Sequence, residues 1–230
     1  MLMKKTLLFY LLFVMALPTF SQGKKAVEEL FDKVEKKYKS EKSYCYQSTY
    51  NFYSTATATK PIETYTGTIY KNNTINYQQI KDNEFASFGS NNIMINHQEK
   101  ILQIGKVENN NSPIALQSFL KLFPDYSLKQ DKSYYICELK SGKYSQVAMD
   151  RLIIYINKAD YSLVKQEFYF VGEKEFTVKN KKTKIKNPKL EVRYAKHPKC
   201  PQIKQQDFFT IKDKKFIVTG KLKNYKAITL

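Results

Sequence analysis

Acid–base or metal chemistry in this chain has two histidines to draw on, His97 and His197. Neither is accompanied by a serine, cysteine or carboxylate at a spacing typical of hydrolases, and G-x-S-x-G and H-E-x-x-H do not occur. His197-Pro-Lys-Cys200 has the spacing of half a zinc site. A structural zinc takes about four ligands, and the second half-site is missing, so no metal is expected there. Cys45 and Cys137 fall inside apolar runs, where the default is a small buried side chain. Three cysteines allow one disulfide with one thiol left over, and the sequence does not choose the pair. Carboxylates stand singly, mostly beside lysines, so no pair suggests glycosidase-like acid–base work. A phosphate-binding loop is also missing. The reading is a non-catalytic protein without a cofactor.

Binding must then come from the elements. The chain opens MLMKKTLLFYLLFVMALPTFSQ: Lys4 and Lys5, an apolar run from Leu7 to Leu17, Pro18, then small and polar residues at Ser21-Gln22. That is the layout of an export leader, and the apolar run is too short to span a bilayer stably. Residues 1–22 are expected to be a signal peptide cleaved near Gln22, leaving 23–230 as a single domain exported to the periplasm. The competing reading is an uncleaved anchor. Of the 230 residues, 42% are hydrophobic, enough for a sizeable core and too many for a disordered tail. The net charge of +18 suggests nucleic acid or anionic lipid, but the arginines are Arg151 and Arg193 alone. Specific phosphate and base recognition favours the guanidinium fork, so nucleic acid is not expected as a partner. The local exception is 179–189, with Lys179, Lys181, Lys182, Lys184, Lys186 and Lys189. This basic surface patch suits anionic headgroups; its plainer reading is a solvated hairpin or loop.

Val27, Leu30, Phe31, Val34 and Tyr38 recur at spacings of three and four, predicting an amphipathic helix with one apolar stripe. From Tyr44 to about Val107 the period changes to two, with Tyr44, Tyr46, Tyr50 and Phe52 on one strand face and polar turns every 8–12 residues. Such spacing predicts an antiparallel meander, because parallel units need intervening helices. Ser112-Pro113 reads as the start of a second helix carrying Leu116, Phe119, Leu120 and Phe123 and stopped by Pro124. Strand patterns then resume. The clearest is 189–195, which places Leu190, Val192 and Tyr194 inward and the charges outward. The tail from Phe208 supplies one or two more strands.

This order resembles the periplasmic outer-membrane lipoprotein carriers, the LolA-like family. AVEELFDKVEKKYKSEKSY is similar to the family's first helix leading into a strand, NNIMINHQEKILQIGKV to its paired strands, SPIALQSFL to the helix that follows, and LIIYINKADYSLVKQEFYF to a later hairpin. The resemblance covers most of the mature chain as a pattern of elements. It implies an α+β, mostly antiparallel fold: a strongly curved, unclosed half-barrel whose concave face is covered by the N-terminal and second helices. It also implies a cavity for acyl chains between sheet and helices, hence a periplasmic carrier or chaperone for lipoprotein acyl chains or another lipid. Candidate cavity residues are Tyr50, Phe52, Tyr65, Ile69, Phe88, Met94, Ile104, Ile154, Phe168 and Phe170, each of which would serve equally in an ordinary packed core. The family's control arginine on an early strand has no counterpart, since no arginine precedes Arg151. The alternative is a non-catalytic envelope module on the same scaffold, its interior filled by its own side chains, meeting a partner protein or an anionic surface through a sheet edge or the 179–189 patch.

Overall fold

The computed structural model describes residues 19–106, 114–143, 147–178, 181–213 and 215–229. The apolar stripe at 27–38 forms one face of helix α1 (Thr19–Ser40), and all five of its residues are buried. Pairs one turn apart lace the wet face: Lys25–Glu29, Asp32–Lys36 and Glu35–Lys39. The helix begins inside the segment assigned to the leader, of which residues 1–18 lie outside the described residues. Its last carbonyls, which have no partner within a helix, accept from Lys71: Nζ donates to the Tyr38 oxygen at 2.7 Å and the Lys39 oxygen at 3.1 Å.

A meander of six strands follows: β1 (Ser43–Tyr53), β2 (Glu63–Asn72), β3 (Ile75–Ile80), β4 (Asn83–Phe88), β5 (Asn91–Asn96) and β6 (Ile101–Lys106). Tight turns with left-handed residues join several of them, Asn73 at φ 49° and Gly89 at φ 63° among them. Helix α2 (Gln117–Leu122) is shorter than the pattern predicts. Its flanks, Ile114, Leu116 and Phe123, are nonetheless buried beneath α1. Glu35 of α1 accepts the Gln117 amide at 2.7 Å, holding the start of α2 against the long helix. The Ser112-Pro113 start proposed for it lies outside the described residues.

Strands β7 (Asp125–Gln130), β8 (Tyr134–Lys140), β9 (Met149–Asn157) and β10 (Leu163–Phe170) form a second meander. The hairpin β11 (Glu173–Val178) and β12 (Lys181–Lys186) stands apart from the main sheet, and β13 (Lys189–Lys196) returns beside β10. The tail makes a second detached hairpin, β14 (Phe209–Lys212) and β15 (Lys215–Val218), and a last strand, β16 (Lys226–Thr229). The main sheet has twelve strands in the order β16-β6-β5-β4-β3-β2-β1-β13-β10-β9-β8-β7. It is antiparallel except where β16 runs parallel to β6. The two ends do not pair, so the sheet is open and curved, with the long helix against one face. This is the α+β half-barrel architecture, mostly antiparallel, that the family resemblance implies.

The sheet is buried on opposite faces in its two halves. Directly paired residues share a face and successive residues alternate, so two rows can be followed across it. The row Tyr46–Ile69–Gln78–Phe85–Met94 begins under α1 and ends in the open, with Phe85 40% and Met94 38% exposed. The adjacent row, Cys45–Tyr70–Tyr77–Ala86–Ile93–Ile104, does the reverse: its last five residues are buried. The cover over that second face is the tail, through Phe208, Phe209 and Leu222. Strand β2 is where burial changes sides, and its neighbours Ile69 and Tyr70 are both buried, one in each core.

Candidate functional site

Between α1 and the sheet the described residues pack into a core. Val27, Phe31, Val34, Leu139, Leu152, Ile154 and Ile156 are all fully buried, and the Tyr38 hydroxyl accepts the Leu163 amide at 3.0 Å. Burial, then the neighbouring Tyr46, holds the Tyr38 phenol well above its ordinary range.

Open apolar space occurs farther along the same face. A cleft of ≈ 210 Å³ is lined by Phe52, Tyr65, Ile80, Phe170, Phe176 and Leu190, with Glu63, Lys81 and Asn83 at its polar rim. The β1–β2 and β1–β13 registers supply its floor: Phe52 lies opposite Glu63 on one side and Leu190 on the other. Tyr65 stacks on Tyr50 with ring centroids 5.0 Å apart and planes 10° apart. Its phenol titrates above the normal range, through burial first and the adjacent Tyr50 second. Gly67 makes room for this pair, since a Cβ there would strike the Gln79 carbonyl and come within 3.1 Å of the Tyr50 ring. At the rim, Lys81 meets Glu63 at 3.0 Å.

The detached β11–β12 hairpin roofs the cleft. Phe176 packs on Phe52 at 4.3 Å between centroids and edge-on to Phe170 at 6.4 Å. The hairpin joins the sheet through two left-handed residues facing each other, Gly172 at φ 77° and Asn187 at φ 49°. They exchange bonds: the Asn187 amide donates to the Gly172 carbonyl at 2.9 Å, and the Gly172 amide to Asn187 Oδ1 at 2.7 Å. Beyond this pair the ladder stops following the main sheet.

The ten sequence-predicted cavity residues are scattered. Phe52, Tyr65 and Phe170 line the cleft, and Tyr50 backs it through the Tyr65 stack. Phe168 is partly buried on the same face, toward the helix-side core. Ile69 and Ile154 pack directly under α1. Met94 is exposed, while Phe88 and Ile104 lie on the opposite face beneath the tail. Sequence reasoning did not single out Ile80, Phe176 or Leu190. The alternation at 189–195 marked Leu190 as inward, but nothing local tells which inward residues face a void.

The basic run divides. Lys182 and Lys184 are paired to Glu175 at 3.1 Å and Glu173 at 3.3 Å across the hairpin. By register Lys186 shares their side, whereas Lys181 shares the Phe176 side. Lys189 rests over the Tyr53 ring at 4.1 Å. Lys179 lies outside the described residues.

Of the β13 charges expected to point into water, Arg193 is exposed and Glu191 is the correction. Glu191 is buried, gripped by Arg193 at 2.7 and 2.9 Å and by Asn51 at 3.1 Å. Beside it, Lys165 binds Glu167 at 2.8 Å. Burial would raise the Glu191 carboxyl, but the Arg193 and Asn51 bonds outweigh it and hold the group below its usual range. Burial would likewise lower Lys165, and Glu167 outweighs it, raising the ammonium. His97 is tied into the tail side: its Nε2 meets Glu84 at 2.5 Å and its Nδ1 the Tyr225 hydroxyl at 2.8 Å, while Lys221 reaches Glu84 at 3.0 Å. These groups fasten the tail to the β4–β5 hairpin. The backbone amide of Lys199 donates to His197 in its loop at 3.2 Å.

No family model matches the sequence, and no curated protein matches it. Among solved structures, it is similar to an uncharacterized conserved protein from Thermus thermophilus, at 13% identity over 89% of this chain and 99% of that one, with a TM-score of 0.45. A DUF1329 family protein from Desulfovibrio piger overlays at 9% identity over 74% and 91%, TM-score 0.32. A LolA superfamily protein from Nitrosomonas europaea overlays at 13% identity over 76% and 94%, TM-score 0.31.

Proposed function

We propose that this protein is an exported, non-catalytic carrier that takes an acyl chain, of a lipoprotein or another lipid, into the Phe52–Tyr65–Phe176 cleft. The observation that carries this reading is an apolar hollow on the helix-bearing face, roofed by a hairpin hinged at Gly172 and Asn187. At ≈ 210 Å³ the hollow is smaller than the roughly 300–1,000 Å³ typical of small-molecule sites. A full chain therefore requires the hairpin to lift and Phe176 to leave Phe52. The exposed Phe85 and Met94 offer further apolar surface on the same face. Burying each methylene contributes about 0.8 kcal/mol, so affinity should rise about fourfold per added carbon until the hollow is full.

The test is displacement of a fluorescent fatty acid from delipidated protein across a chain-length series, with native mass spectrometry of protein taken from an envelope fraction. A length-dependent affinity, weakened tenfold or more by Phe52→Arg or Phe176→Arg, supports the carrier. Bare polypeptide mass and no displacement overturn it.

The core that the described residues pack beneath α1 favours a second reading, an envelope interaction module on the same scaffold. Under it, vesicles containing anionic lipid, or an envelope partner, bind through the hairpin lysines. Replacing Lys182, Lys184 and Lys186 by Glu abolishes that binding and leaves fatty-acid displacement as it was.

A further inference from the structure

The chain leaves β13 at a point that bears on its cysteines. Tyr46 pairs with Lys196 at the end of the β1–β13 ladder, and one step farther the His197 amide donates to the Cys45 carbonyl at 3.1 Å. Pro198 and Lys199 then turn back, the Lys199 amide bonding to His197 Nδ1 at 3.2 Å. That turn carries Cys200 back beside Cys45, where the two thiols are near enough to influence each other. Cys45 is half-buried against the tail-side core, and Cys200 is exposed. Cys137 is fully buried among the residues under α1.

We propose that Cys45 and Cys200 are a disulfide-forming pair, and that the bond clamps the tail segment at the point where it departs from the sheet. Joining two thiols removes two electrons, so closure needs an oxidant, here a disulfide such as glutathione disulfide. The exposed Cys200 thiolate attacks one sulfur of the oxidant and expels one glutathione thiolate. The Cys45 thiolate then attacks Cys200 Sγ in the mixed disulfide and expels the second. Two protein thiols become one S–S bond, one disulfide becomes two thiols, and the two protons go to solvent and the released thiolates. Burial raises the Cys45 thiol above its ordinary range, which makes the second step the slow one near neutrality. Bringing the sulfurs to bonding distance moves an exposed loop, whereas either cysteine could reach Cys137 only by opening the core beneath α1.

The bond cross-links β1 to the base of the tail across a long loop, which stabilises chiefly by restricting the unfolded chain. The test uses the purified full chain with and without glutathione disulfide, followed by alkylation after unfolding and peptide mapping. The expected result is a Cys45–Cys200 linked peptide, Cys137 as the alkylated thiol, and a Tm about 5 °C or more above the reduced form. The exposed-site variant Cys200→Ser should lose both the linkage and the Tm rise while keeping the reduced protein's Tm. Three alkylatable thiols after oxidation, or a linkage involving Cys137, overturns the proposal. The same map on protein taken directly from cells reads the redox state of its compartment and leaves the lipid reading of the cleft untouched.

Discussion

The two cores of the sheet are built from similar side chains and closed by different kinds of cover. The helix-side core is covered by α1, which precedes β1 directly and presents five apolar residues on one stripe. The tail-side core is covered by a segment more than a hundred residues away from the strands it protects, through Phe208, Phe209, Leu222 and the polar fastening at Glu84. A helix brings its whole stripe down at once, because its own hydrogen bonds fix the spacing. The tail has short elements, each held by a few contacts, so it can detach in pieces. From this difference we expect the helix-side core to unfold with the whole sheet and the tail-side core to open locally.

Truncation should break the comparison most sharply. Phe31→Ala empties a fully buried ring site under α1 and is expected to cost about 3–5 kcal/mol of global unfolding free energy. Phe209→Ala removes an equally buried ring, but partial release of the tail should limit the loss to about 2–4 kcal/mol. Hydrogen exchange is the decisive readout: protection falls throughout the sheet in the first variant, and over 201–229 and β3–β6 in the second. Uniform loss in both would show that the cores are a single cooperative unit.

Next in size is the tail's electrostatic fastening. Lys221→Met leaves Glu84, 2% exposed, with His97 as its remaining partner of opposite potential charge, at an expected cost of about 1–3 kcal/mol in chemical denaturation. The helix-side half should differ in its response to acid. The Glu191 carboxyl is held below its unfolded value, so its contribution is complete above the ordinary carboxylate range and disappears as pH falls through the folded value. Lys165 is raised, so its contribution is complete below the ordinary lysine range and disappears as pH climbs through the folded value. A Tm-versus-pH profile should therefore decline at both ends, and Glu191→Gln should flatten the acid limb. The smallest effect belongs to the surface of α1. Asp32→Ala removes an exposed ion pair with Lys36 and should cost about 0.3–0.5 kcal/mol, less at high salt.

Much of the helix-bearing half was legible residue by residue. Val27 through Tyr38 announces its helix by period, and Leu190, Val192 and Tyr194 announce their face by alternation, because both signals are local geometry. Phe88 and Ile104 carry the same alternation, but it says only that a face is covered, and here the cover is on the other side. Glu191 read as a solvated charge, since nothing within seven residues of it discloses Asn51, which is brought alongside by strand pairing. Phe176 precedes the 179–189 patch and stands in no strand pattern read from the sequence, and only the turn at Gly172 and Asn187 directs its ring onto Phe52.

By itself, then, the sequence determined that a long amphipathic helix precedes an antiparallel meander, that the familiar hydrolase motifs do not occur in it, and that a lysine-rich segment interrupts the later strand patterns. These follow from spacing along the chain, which is fixed before folding. The tertiary structure decided which face each half buries, where apolar space is left unfilled, and which two of three thiols are carried to the same end of the β1–β13 ladder. Those depend on pairings such as β1 with β13, whose partners are far apart in the chain and whose register no local pattern encodes.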